Sequence, residues 1–90
     1  MNAELAKHAI RTAYGQLERI WGAPLYQVRR LSGLDRGTFD KTLKALLATC
    51  EVQVMEGDLR VMRKEDIDDS YVTDGFVCPY IKWWGGNGGN

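Results

Sequence analysis

Ala6, Ile10, Ala13, Leu17 and Ile20 follow one another at steps of four and three residues, the spacing that lines one face of an α-helix. This stripe predicts an amphipathic helix from Ala3 to Trp21. Asn2 is suited to cap its start, Glu4 to sit at the positive end of its dipole, and Gly22 to close it. Lys7, Arg11, Gln16 and Arg19 fall on wetter faces, and Ala6, Ala9 and Ala13 let a second helix approach closely. Ala23-Pro24 interrupts the pattern, because proline disfavours helical geometry at the residue before it. Leu25, Val28 and Leu31 then mark a shorter second helix that Gly33 ends. Asp35 is a good N-cap for a third helix running to about Thr49, and Leu34 and Phe39 sit where a hydrophobic staple forms. Phe39, Leu43, Leu46 and Leu47 make its buried face.

Beyond the third helix the period changes. Val52-Gln53-Val54-Met55 and Leu59-Arg60-Val61-Met62 read as two short strands, joined as a hairpin by Glu56-Gly57-Asp58, with Gly57 able to take positive φ. An acidic run follows (Glu65, Asp66, Asp68, Asp69), then an aromatic-rich stretch from Tyr71 to Trp84. Gly85 to Asn90 is rich enough in glycine to be a frayed end. The expected fold class is α+β, mostly α. Residues 1–64 form three helices and a two-stranded wing, 65–84 an acidic then aromatic extension, and 85–90 a flexible tail.

Composition narrows the function classes. At 90 residues, with 44% apolar and 27% charged side chains, the chain reads as one ordinary globular domain. No apolar run approaches the roughly 20 residues that span a bilayer, so no membrane partner is expected. The N-terminus lacks the basic head and greasy segment of a secretory signal. Cys50 and Cys78 are too few for a disulfide framework and read as free thiols in a reducing cytoplasm. The formal charge is zero, yet residues 1–64 carry eleven Lys/Arg against seven Asp/Glu, and residues 65–90 one Lys against five acids. A basic body with an acidic tail is compatible with nucleic-acid binding by one face.

The order helix, short helix, glycine turn, capped helix, hairpin resembles a winged helix-turn-helix domain of the bacterial-regulator type. The likeness runs through Val28, then Gly33-Leu34-Asp35, then Phe39, Leu43, Leu46 and Cys50, with Val52 entering the wing; Arg29 stands where that family has alanine. It covers residues 25–62, and residues 1–24 suit the family's leading helix. The resemblance implies site-specific binding of double-stranded DNA by a transcriptional regulator acting as a homodimer, with the third helix entering a major groove about 12 Å wide. Arg36 and Thr38 are then the candidates for base edges, with Lys41, Thr42 and Lys44 beside them on the outward face. Arg29 and Arg30 are candidate phosphate contacts from the second helix, and Arg60 and Arg63, on the wing, candidate contacts to the backbone or the minor groove. Asp40, Glu56 and Asp58 place negative charge among them.

Other chemistries lack their residues. Asp66 to Ser70 is similar to the start of a calcium loop, but Tyr71 stands where glycine is needed and Val77 where the closing glutamate belongs. His8, Cys50 and Cys78 lack metal-ligand spacing, and no glycine-rich loop precedes a Walker-type lysine. No metal, cofactor or enzymatic activity is expected. Tyr71, Phe76, Tyr80, Trp83 and Trp84 are more apolar material than a tail requires; they close the core, form a dimer interface, or anchor a partner protein. The alternative function is therefore a protein-interaction module on the same fold that does not touch DNA.

Overall fold

The computed structural model describes residues 2–84. The first helix, α1 (Ala3–Leu17), starts where Asn2 Oδ1 accepts the Leu5 N–H at 2.9 Å, and buries Ala6, Ile10, Ala13 and Tyr14. It stops four residues short of the expected Trp21. Glu18 turns extended, and Arg19 and Gly22 exchange two backbone hydrogen bonds across a tight turn. Ile20 and Trp21 lie at the tip of that turn, so Ile20, expected on the buried stripe, is 95% exposed. The cause is the chain entering a strand. Gly22 has φ +128°, and a Cβ there would stand 2.4 Å from the Ile81 carbonyl oxygen, so only glycine lets the backbones meet.

The interrupting dipeptide is itself a strand, β1 (Ala23–Pro24). It leads into α2 (Leu25–Ser32), which buries Leu25, Val28 and Arg29 and ends on Gly33 in the left-handed conformation. Leu31, expected on the inner face with Leu25 and Val28, is instead half-exposed. The next helix, α3 (Arg36–Ala48), is capped by Asp35, whose carboxylate accepts the Thr38 N–H at 3.0 Å and the Thr38 hydroxyl at 2.7 Å. Its Phe39, Leu43 and Leu46 are buried as the pattern predicts.

The expected hairpin does not form. The strand β2 (Val52–Met55) is present, but Leu59–Val61 is a turn of 3-10 helix, initiated by Asp58 accepting the Arg60 N–H. Gly57 is absent from the positive-φ residues; glycine is needed there because a Cβ would stand 2.5 Å from the Tyr80 ring. A short helix α4 (Lys64–Asp68) and a small hairpin of β3 (Tyr71–Thr73) and β4 (Phe76–Cys78) follow. The last strand, β5 (Tyr80–Trp83), pairs antiparallel with both β1 and β2, giving a three-stranded sheet of order β1-β5-β2. In its register Val52 faces Trp83 and Val54 faces Ile81.

The core is one cluster. Ile10, Ala13 and Tyr14 of α1, Leu25 and Val28 of α2, and Phe39, Leu43 and Leu46 of α3 meet Ala23, Val52, Ile81 and Trp83 from the sheet. Trp83 is 6% exposed and packs at 6.1 Å, centroid to centroid, from Tyr14. Trp83 is thus a core residue and is withdrawn as a partner contact. Tyr71 packs on the same cluster, and Tyr80 meets Trp21 edge-on at 5.2 Å. Of the expected interface aromatics, Phe76 and Trp84 remain exposed, each at 55%. The expected frayed end at 85–90 lies outside the described residues. No helix among the described residues is long and apolar enough to cross a membrane.

Candidate nucleic-acid interface

Packing of Phe39, Leu43 and Leu46 against α1, α2 and the sheet decides which side of α3 looks outward. The exposed residues of the helix are Arg36, Gly37, Lys41, Lys44, Ala45 and Ala48. Gly37, Lys41, Lys44, Ala45 and Ala48 step by four, three, one and three, a single stripe. Glycine and alanine keep the surface low around the two lysines. Lys41 and Lys44 have no hydrogen-bond or ion-pair partner among the described residues, so both ammonium groups are available to a ligand. Lys41 also borders a recess of about 370 Å³ between α1 and α3, walled by Thr38, Thr42 and Ala45.

The threonines proposed beside them are committed locally. Thr38 bonds the capping carboxylate of Asp35, and Thr42 donates to the Thr38 carbonyl oxygen at 2.8 Å. Those bonds hold Asp35 below the usual carboxylate range, the Thr38 hydroxyl being the larger cause and its backbone N–H the next.

The arginines are arranged differently from the sequence expectation. Arg29 is buried, 6% exposed, with its guanidinium 4.5 Å from the centroid of Phe39. Its Nη2 donates to Asp40 at 2.8 Å and its Nε to the Asp69 carbonyl oxygen at 2.8 Å. Arg29 is therefore a structural clamp between α2, α3 and the end of α4, and not a surface phosphate contact. The same bond pairs Asp40, the acid that stands on this helix among the candidate DNA contacts, with a core arginine.

Arg30 and Arg36 stay at the surface, and α4 and the residue after it meet them there. Asp69 bridges the two, its Oδ2 2.9 Å from Arg30 Nε and its Oδ1 2.7 Å from Arg36 Nη2. Asp66 takes a further contact from Arg30 at 2.9 Å, and the Asp68 carbonyl oxygen accepts from Arg36 at 3.0 Å. Asp66, and after it Asp69, hold the Arg30 proton still more firmly than in a free arginine. The expected wing cations are likewise paired with near neighbours, Arg60 to Asp58 at 3.0 Å and Arg63 to Glu65 at 2.6 Å. Residues 59–63 form no strand, so they do not extend as a wing edge.

Of the residues that the sequence reading set on the outward face of α3, Arg36, Lys41 and Lys44 are exposed and Thr38 and Thr42 are half-buried, and that reading missed that the acidic run folds onto the basic cluster. The one available signal was charge: an acidic block, Glu65 to Asp69, far along the chain from Arg30 and Arg36, in a chain of zero net charge. Among the described residues no three His, Cys, Asp or Glu side chains gather in a way that would hold a metal ion. Comparison of the chain with protein-family models, curated proteins and solved structures gave no match.

Proposed function

We propose that the chain is a winged helix-turn-helix domain that binds double-stranded DNA through α3. The observation that carries this reading is the α3 stripe itself: Lys41 and Lys44, without an ion-pair partner among the described residues, on a line with Gly37, Ala45 and Ala48, on a helix whose opposite face is buried in the core. A helix so presented fits a major groove about 12 Å wide, where lysines meet phosphates or guanine edges. The element order supports the fold: three helices, a short strand between the first two, and a sheet of order β1-β5-β2 behind them. In this reading residues 56–79, between β2 and β5, replace the simple wing tip. Regulation of transcription, as a homodimer with two copies of α3 about one DNA turn apart, is the role that fits such a reader.

The test is duplex binding by fluorescence anisotropy over a salt series. Lys41 and Lys44 contribute about 0.9 each to the slope of log affinity against log salt, so K41A/K44A flattens it by about 2 and weakens binding by at least tenfold. Equal affinity of wild type and K41A/K44A would remove α3 as the interface.

A second reading draws on the exposed apolar residues of the 56–79 segment, Val61, Val72 and Phe76, at 78%, 60% and 55% exposure. Such residues suit a protein partner or a second copy of the chain. Sedimentation of wild type and V72S/F76S decides it: a dimer lost in the variant supports this surface, and a monomer in both disfavours self-association.

A further inference from the structure

Arg30 and Arg36 converge on a single carboxylate, as two guanidinium groups converge on a phosphodiester. Asp69 supplies one oxygen to each arginine, at 2.9 and 2.7 Å, and the pair stands at the α2–α3 corner beside the first turn of α3. We propose that Arg30 and Arg36 form a phosphate receptor of the DNA-binding face that the Asp69 carboxylate occupies in the free protein. The inference rests on the DNA-binding reading and adds its regulation: the acidic segment competes with the nucleic-acid backbone for the same two cations.

Several features make the occupant exchangeable. The arginine side chains are 43% and 54% exposed and Asp69 is 28% exposed, so a phosphate reaches them from solvent. Ion pairs this exposed are weak, and a dianionic or polyanionic ligand replaces them at little loss. The helix that carries the acids is a single turn without a side-chain N-cap. Its end is nonetheless anchored, because the buried Arg29 holds the Asp69 carbonyl oxygen at 2.8 Å and the Ser70 hydroxyl bonds the Asp66 carbonyl oxygen at 2.8 Å. The backbone stays while the carboxylate rotates away. Opening the receptor therefore requires a side-chain movement and not unfolding of the segment.

The device predicts that the free protein uses fewer cations on DNA than it possesses. Asp69→Asn keeps the side-chain shape and removes the competing charge. Its duplex affinity should rise about threefold to tenfold, and its salt slope should steepen by about 1 to 2 as Arg30 and Arg36 engage phosphates. Unchanged affinity and slope in D69N, with wild type still binding through Lys41 and Lys44, would overturn the masked receptor and leave the DNA reading standing.

A second measurement is independent of DNA. Inorganic phosphate is titrated into ¹⁵N-labelled wild type and D69N while the Nε–Hε resonances of Arg30 and Arg36 are followed. Saturable shifts of both at phosphate concentrations at least about threefold lower in D69N support the receptor, even if no variant binds duplex. Identical titrations in the two proteins overturn it. Should D69N fold poorly, D69S serves in its place with the same two outcomes for Arg30 and Arg36.

Discussion

Gly22 and Arg29 show how much a single residue carries in a chain this small. At Gly22 the backbone has φ +128° and passes against the Ile81 carbonyl, where a Cβ would sit at 2.4 Å. Gly75 also has positive φ, +82°, but a Cβ there meets nothing within 4 Å. The two glycines thus separate conformational strain from steric exclusion. Gly75→Ala is expected to lose about 1 kcal/mol, the strain alone, whereas Gly22→Ala adds a backbone collision and loses at least about 2 kcal/mol more. Urea denaturation of the two variants checks this; equal losses would mean that β1 and β5 separate freely. Arg29 makes the same point for charge. It is a cation in the core because it finds Asp40, two backbone carbonyls and the face of Phe39 together. Removing one member of such a buried set leaves a desolvated charge behind.

Among the elements, β5 has the widest consequences. It lies between β1 and β2, gives Ile81 and Trp83 to the core, and so joins the chain's last described strand to both ends of the helical layer. Neither β2 nor the two-residue β1 has a partner in the sheet other than β5. Trp83→Ala should therefore destabilise by about 3–5 kcal/mol, a large share of what a domain of this size possesses. Circular dichroism and thermal melting give the measure; a near-native melting temperature would place Trp83 outside the core. The α3 helix is the opposite case. Its Asp35 cap is local and its Phe39, Leu43 and Leu46 face the core, which leaves the lysine stripe free of structural duty. K41A/K44A should accordingly melt like wild type, so any loss of DNA affinity belongs to the interface itself.

For the whole molecule, the charge balance is also spatial, because among the described residues many carboxylates lie against a cation. Lys7 holds Glu51 at 2.8 Å, and Lys7 first, then the Thr49 hydroxyl, keep that carboxyl below its usual range. Asp35 at the α3 cap and Asp58 beside Arg60 are depressed in the same direction. A carboxylate with a folded pKa below its unfolded value contributes stability that is complete above the unfolded pKa and lost as pH falls through the folded one. Folding stability should thus be flat near neutrality and fall below about pH 5. Denaturation midpoints at pH 7, 5 and 3 test this, and a midpoint unchanged at pH 3 would contradict the depressed carboxylates. The pairs are exposed, so added salt should shrink the pH effect.

The contrast between what the chain announces and what it conceals follows the range of the interactions. Periodicity and capping are decided within a few residues, so α1, α2, α3, the Asp35 cap and the outward side of Lys41 and Lys44 could be read directly. Ile20 escaped because a stripe cannot show that the next strand needs the chain to turn first. Strand pairing has no local signature either: Val52 to Met55 would accept Leu59 to Met62 as readily as Tyr80 to Trp83, until Trp83 and Ile81 prove able to fill the core and the nearer segment does not. The placing of Asp66 and Asp69 on Arg30 and Arg36 is likewise a matter of three dimensions. Charges so far apart along the chain meet in a fold where Arg29 also holds the Asp69 and Ser70 carbonyl oxygens beside α2.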